Sequence, residues 1–186
     1  MSTSEAAGCA EPVRRALVQA LLATADDDFL IGHVDSEWTG LAPILEEDIA
    51  FSAIAQDEIA HAREWYRLIG ELTDRTADEL AYARPPHDYR CAALVVRPDA
   101  FDWGAAIARQ FYYEHFDALR LERWKASSDS QIAHVAARIA AEEAFHVHHV
   151  DDWVRRLAAD VAEGRERIQT ALDQLWPHAA TLFEET

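Results

Sequence analysis

Apolar residues recur at helical spacing in four long stretches of the chain. In the clearest stretch, residues three or four positions apart form a single face. That face consists of Ile132, Val135, Ile139, Glu143, His146, Val150, Trp153 and Leu157. Most of its members are apolar, as expected for a helix packed against a core, but the two central ones are a glutamate and a histidine. The pattern predicts a long helix with a charged pair inside its buried stripe.

Proline and glycine are scarce and divide the chain into five predicted helices. Helix A covers 11–39, helix B 43–72, helix C 101–126 with Asp99 as its cap, and helix D 130–160; helix E begins near 163 and is kinked or broken at Pro177. The short A–B and C–D links predict antiparallel pairs, and the long B–C link, with a short helix at 88–96, predicts a crossover along a bundle. We therefore expect an all-α four-helix bundle with an additional C-terminal helix. It forms one domain over 11–186, after a disordered segment 1–10.

The other three long helices also carry charged residues in an apolar stripe. On helix B the stripe consists of Phe51, Ile54, Glu58, His61, Trp65 and Leu68. Helix C places Glu114 between apolar residues, and helix A places Glu37 near its end. Burying an unpaired carboxylate costs several kcal/mol, so these residues need partners inside the bundle.

A pair of metal ions would supply those partners. A glutamate and a histidine three residues apart project side by side, so each Glu-x-x-His motif can bind one ion. The motifs Glu58/His61 and Glu143/His146, with Glu37 and Glu114 from the other helices, form the ligand set of di-iron and di-manganese carboxylate bundles. The predicted cofactor is two iron ions, with manganese as the alternative.

An acidic residue precedes each motif glutamate. A histidine that binds a metal usually donates its other N–H to a carboxylate. We therefore expect Asp57 to orient His146 and Glu142 to orient His61, each across the bundle. The run 26–28 of three aspartates is expected to be a solvated face or a local irregularity of the helix.

The charge of the chain limits its partners. Acids outnumber bases 34 to 17, for a formal net charge of -17, which argues against nucleic acid or an anionic membrane as the partner. The start lacks a signal-peptide pattern, and two cysteines form no disulfide framework. These features predict a cytoplasmic protein.

Several segments resemble the phenylacetyl-CoA epoxidase subunit family (PaaA/PaaC-type), which acts in phenylacetate catabolism. They are Ser36-Glu37-Trp38, Gln56-Asp57-Glu58-Ile59-Ala60-His61, Arg109-Gln110-Phe111, Glu142-Glu143-Ala144-Phe145-His146 and Leu175-Trp176-Pro177. The resemblance implies a ferritin-like fold, a di-iron centre, dioxygen activation and oxygenation of an acyl-CoA substrate. Its metal ligands fall on the same six residues. The sequence of these motifs is more similar to that of the family's structural, non-catalytic subunit, whereas the set of six ligands resembles that of its catalytic subunit.

Three functions remain open at this point. The first is an oxygenase or oxidase of a small organic substrate, aromatic or acyl-CoA, supplied with electrons by a reductase. The second is a ferroxidase or metal-storage protein. The third is a non-catalytic scaffold subunit with a structural metal site. The chain is expected to form a homodimer or a hetero-oligomer with related subunits.

Overall fold

The computed structural model describes residues 10–97, 101–159 and 161–183, and all regular secondary structure in these ranges is helical. The helices are α1 (Glu11–Ser36), α2 (Leu45–Thr73), α3 (Ala77–Tyr82), α4 (Ala93–Val96), α5 (Trp103–Lys125), α6 (Ser130–Ala159) and α7 (Ala162–Ala179), with 3-10 turns at Pro86–Asp88 and Ala180–Phe183. The predicted all-α class is confirmed. The predicted disordered segment lies, except for Ala10, outside the described residues. None of the described helices combines the length and apolar character that a membrane span requires.

Two helical hairpins form the bundle. Helix α1 packs along α2, and α5 packs along α6, with short loops at 37–44 and 126–129 between the partners. The segment 74–102, which contains α3 and α4, connects the hairpins. Helix α7 packs against α5 and α6. This is the predicted arrangement of a ferritin-like bundle with a long crossover and an additional C-terminal helix.

Two helix ends differ from the expectation. The side chain of Asp102 accepts a hydrogen bond from the backbone N–H of Ala105 at 3.1 Å and so caps α5, whereas the predicted cap, Asp99, lies outside the described residues. Helix α7 does not end at Pro177, where the sequence predicts a kink or break. It continues to Ala179 and then tightens into the 3-10 turn, because a proline in the last turn leaves most of the helical hydrogen bonds intact.

The apolar core consists of two clusters, separated along the bundle by charged residues. On α6, Ile139 belongs to the first cluster and Trp153 packs against the second. Glu143 and His146, both buried, lie between them. Charged residues also separate the two clusters on α2 and α5, where Glu58 and Glu114 are buried, so a polar layer crosses the middle of the bundle.

The aspartates at 26–28 are buried, so the prediction of a solvated face is wrong. Asp26 accepts hydrogen bonds from Arg84 of the crossover, one of them at 2.9 Å. Asp27 and Asp28 accept hydrogen bonds from Arg120 of α5 at 3.0 and 2.8 Å. The run therefore ties α1 to the crossover and to α5. Both arginines are more than fifty residues away in the chain, so no local pattern could reveal the pairing.

Candidate metal centre

Five of the six predicted ligands meet in the polar layer. Glu58, Glu114, Glu143 and His146 each offer one ligand atom, and these atoms lie within 4.8 Å of one another. His61 joins the group, since its Nδ1 lies 2.9 Å from Oε1 of Glu143. All five side chains are buried. Three helices, α2, α5 and α6, therefore converge on one cluster of carboxylates and imidazoles.

Both histidines direct the same nitrogen inward. Nδ1 of His146 lies 3.1 Å from Oε2 of Glu143, 3.6 Å from Oε1 of Glu58 and 3.7 Å from Oε1 of Glu114. Nδ1 of His61 contacts Glu143 in the same way. For His146 the contact with Glu143 is local, because a spacing of three residues on α6 places the histidine beside the glutamate of its own motif. The contact of His61 with Glu143 instead crosses from α2 to α6.

The outer nitrogens contact the acids that precede the motifs. Nε2 of His61 lies 2.8 Å from Oε2 of Glu142, and Nε2 of His146 lies 3.4 Å from Oδ2 of Asp57. Each contact crosses from α2 to α6, in the pairing expected from the sequence. A carboxylate at the outer nitrogen favours a proton there and leaves Nδ1 free to bind a cation.

The electrostatics of the cluster reflect its burial. Burial, and then the charge of Glu143, raise the pKa of Glu58 and of Glu114 well above the ordinary value. Burial alone would lower the pKa of His61, but the hydrogen bond to Glu143 and the charge of Glu58 raise it to about 9. Burial also opposes the charged form of His146, but its contacts with Glu143 and Glu58 outweigh burial and raise the pKa of His146 to about 11. The cluster thus retains protons that cations would displace.

Some buried oxygens in this cluster have no hydrogen-bond donor among the described residues. Oε1 of Glu58 and Oε2 of Glu114 accept no hydrogen bond within the part of the chain that the structure describes, although Gln110 donates to the other oxygen of Glu114. Unpartnered buried oxygens are costly. Carboxylate and imidazole donors suit iron, manganese and zinc, so the donor set fits divalent cations held inside the bundle.

The structure does not bring the sixth predicted residue, Glu37, to this cluster. Glu37 is exposed and follows the last residue of α1. The turn of α1 at the level of the cluster instead carries Gly32, where a Cβ atom would lie 3.0 Å from Cβ of Glu58. Asp28 and Asp35 flank this glycine by one turn on either side, and both are buried.

The two aspartates have different surroundings. Asp28 accepts hydrogen bonds from the Tyr113 hydroxyl at 2.6 Å and from Arg120 at 2.8 Å. Neither carboxylate oxygen of Asp35 accepts a hydrogen bond from a described residue. Burial raises the pKa of Asp35 to about 7, against the lowering effect of the charges of Arg109 and His146. Asp35 is thus the α1 carboxylate with unused acceptor atoms, and its sequence signal is the seven-residue spacing from Asp28.

The fold and the cluster define an all-α bundle protein with a buried carboxylate–histidine site suited to metal ions. The family model described as "Phenylacetic acid catabolic protein" matches residues 1–186. The chain therefore belongs to that family, as the resemblance in its motifs predicted.

One relative allows a more specific comparison with this chain. The chain is 28% identical over 164 residues to an Escherichia coli (strain K12) protein that is named as one of the subunits of 1,2-phenylacetyl-CoA epoxidase. The match covers 88% of this chain but 66% of the relative. The chain thus spans slightly less than two thirds of the relative's length.

Proposed function

We propose that this chain is a di-iron oxidoreductase component that uses O₂ to oxidise a small organic substrate. The observation that carries the proposal is the group formed by Glu58, Glu114, Glu143 and His146, whose ligand atoms lie within 4.8 Å of one another in the bundle interior. The family supports an oxygenase-type role, and the name of the relative favours an aromatic or acyl-CoA substrate.

In this proposal the two Glu-x-x-His motifs and Glu114 hold the ions. Iron bound there would supply the redox chemistry with O₂. The chain itself contributes orientation, because Asp57 and Glu142 hold the outer nitrogens of His146 and His61. It also contributes a dry environment, since the apolar clusters on both sides of the polar layer exclude water. A reductase would supply electrons.

The test is the metal content of the full chain expressed with iron. We expect about two iron atoms per chain, as in di-iron carboxylate bundles, and loss of iron in Glu143→Gln and His146→Gln. Glu37→Gln is the matched control, because Glu37 is exposed and its replacement should leave the iron content unchanged. Asp35→Asn is measured beside it, and loss of iron in this variant alone would show that Asp35, rather than Glu37, is the α1 carboxylate that binds iron. No metal under iron-, manganese- and zinc-replete conditions would contradict the proposal.

A second function, a scaffold subunit with a structural metal site, is favoured by the name of the relative, which is one component of an epoxidase with several subunits. The two functions differ in whether the chain turns over alone. O₂ consumption coupled to loss of phenylacetyl-CoA, by the purified chain with a reductase, supports the enzyme. Turnover that requires a related subunit, with Glu143→Gln in this chain having no effect on the rate, supports the scaffold.

A further inference from the structure

An arginine-rich cleft lies where α1, the crossover, α5 and the final 3-10 turn meet. It has a volume of about 910 Å³, within the range of small-molecule pockets. Its lining includes five arginines, Arg75, Arg84, Arg90, Arg120 and Arg123. The chain contains only 17 lysines and arginines and carries a net charge of -17. Five guanidinium groups in one cleft therefore stand out against the charge of the whole molecule.

The two inner arginines form a rigid floor. Arg84 donates hydrogen bonds to Asp26, to the carbonyl of Leu80 and to the carbonyl of Asp88. Arg120 donates to all of its acidic neighbours, which are Asp27, Asp28 and Asp117. These guanidinium groups are neutralised by buried carboxylates and fixed in place. They shape the cleft, but they leave the binding of an anion to the arginines at its rim.

The rim arginines retain free donors. Arg75, Arg90 and Arg123 are exposed. Arg75 donates one hydrogen bond to the carbonyl of Glu79, and neither Arg90 nor Arg123 forms an ion pair with any residue that the structure describes. The lining contains two acids, Asp27 and Asp88. Asp27 is paired with Arg120, so only Asp88 offsets the positive charge of the three rim arginines. The mouth of the cleft is therefore positive.

Aromatic and aliphatic side chains complete the lining. Trp124 is held by a hydrogen bond from its Nε1 to Thr24 Oγ1 at 3.2 Å, and the Tyr89 ring lies 4.1 Å from the Arg84 guanidinium carbon. Phe116 and Leu182 also line the cleft. An inorganic ion would not use these surfaces, whereas an organic ring could pack against them.

We propose that this cleft binds an organic phosphate of nucleotide size. Its phosphate groups contact Arg75, Arg90 and Arg123, because guanidinium groups match the geometry and charge of phosphate. Its ring packs near Trp124. This site shares no residue with the carboxylate–histidine cluster, so binding of a free nucleotide here is independent of the proposed function, whereas binding of a coenzyme A derivative would rest on the acyl-CoA substrate of that function. The same chemistry occurs in a free nucleotide and in the nucleotide portion of coenzyme A.

Calorimetric titration of the full chain with ADP, coenzyme A and pyrophosphate tests the proposal. We expect ADP, coenzyme A or both to bind more tightly than pyrophosphate, and added salt to weaken binding. Loss of a charge-assisted hydrogen bond predicts about a tenfold weaker affinity for Arg90→Gln and for Arg123→Gln. Arg63→Gln is the matched control, because this exposed arginine of α2 lies outside the cleft.

The relative affinities of the three probes distinguish the possible ligands. Tighter binding of ADP than of coenzyme A identifies a free nucleotide as the ligand type, and the reverse order identifies a coenzyme A derivative; both support the proposal. No binding of any of the three probes at low salt would overturn it. Equal affinity for pyrophosphate and the two nucleotides would overturn it, and so would affinities that are unchanged in both cleft variants. Circular dichroism confirms that the exposed substitutions leave the helices folded.

Discussion

Gly32 on α1 lies directly against Glu58 on α2. A Cβ atom on the glycine would lie 3.0 Å from Cβ of Glu58 and 2.9 Å from both the carbonyl oxygen of Ala55 and Cγ1 of Ile59. Two of these neighbours are rigid, since one is helix backbone and the other a β-carbon. The absence of a side chain at Gly32 therefore sets how closely α1 approaches the carboxylate cluster.

Replacing this glycine should separate the two helices. Gly32→Ala is expected to destabilise the fold by about 1–3 kcal/mol, the usual effect of overpacking, and to weaken metal binding because Glu58 is displaced. Urea unfolding and a metal titration measure the two effects. An unchanged midpoint together with unchanged metal affinity would show that the α1–α2 contact relaxes without consequence. Ala16→Ser, at an exposed position of the same helix, is the control.

The carboxylates at the outer histidine nitrogens should tune metal affinity. Asp57→Asn and Glu142→Gln are each expected to weaken metal binding by about 10–100-fold, as removal of such partners does in other sites. The effect should be larger for Glu142, whose contact with His61 is 2.8 Å against 3.4 Å for Asp57 with His146. Competition with a chromophoric chelator measures the affinities.

Glu46→Gln, at an exposed position near the start of α2, is the control for these two variants. If Glu46→Gln weakens metal binding as much as Glu142→Gln does, the effect comes from general charge rather than from orientation of the imidazole.

Asp35 should make stability depend on pH in the metal-free protein. Its pKa is raised from 3.8 to about 7 by burial, so the folded state holds this proton more tightly than the unfolded state does. The stabilising effect of the protonated form is complete below pH 3.8 and is lost as the pH rises towards 7. The free energy of unfolding of Asp35→Asn, relative to that of the wild type, should therefore rise by about 4 kcal/mol as the pH rises from 3.8 to about 7, at about 1.36 kcal/mol per pKa unit.

Urea unfolding in the presence of a chelator, repeated across this pH range, measures the difference between the two proteins. Glu37→Gln is the matched control, because it removes an exposed carboxylate just beyond the same helix. A wild-type curve parallel to that of Asp35→Asn would contradict the prediction.

The buried pair formed by Asp26 and Arg84 should be essential for stability. Asp26→Ala leaves the Arg84 guanidinium buried without its carboxylate, which is expected to cost about 3–5 kcal/mol. Removal of the exposed Arg67–Glu71 pair, whose atoms are 2.6 Å apart, by Glu71→Ala should cost less than about 1 kcal/mol. Thermal or urea unfolding measures the loss of stability in Asp26→Ala and in Glu71→Ala. Equal losses in the two variants would mean that burial of the first pair has no energetic consequence.

The buried cluster residues on α2, α5 and α6 could be predicted from the sequence because local patterns place them on the inner faces of their helices. A spacing of three residues places Glu58 beside His61 on one helix face, whatever the rest of the fold does. The apolar residues around each motif then direct that face inward. The cross-bundle contacts of Asp57 and Glu142 follow from the same repetition of the motif on two facing helices.

The contribution of α1 could not be predicted in this way. Glu37 follows Val34 by three residues and so continues an apolar stripe, but the helix ends at Ser36 and leaves Glu37 exposed. Which turn of α1 lies level with the cluster depends on the axial position of one helix against its neighbours. A periodic pattern contains no information about that position.

The sequence by itself determined the helices, their apolar faces and the glutamate–histidine motifs, because each depends on residues a few positions apart. Tertiary structure alone decided that Gly32 faces Glu58, that Asp35 is buried with no hydrogen-bond donor among the described residues, and that Arg84 and Arg120 neutralise the aspartates at 26–28. These relationships join residues far apart in the chain. They depend on how the helices pack against one another, which no local spacing encodes.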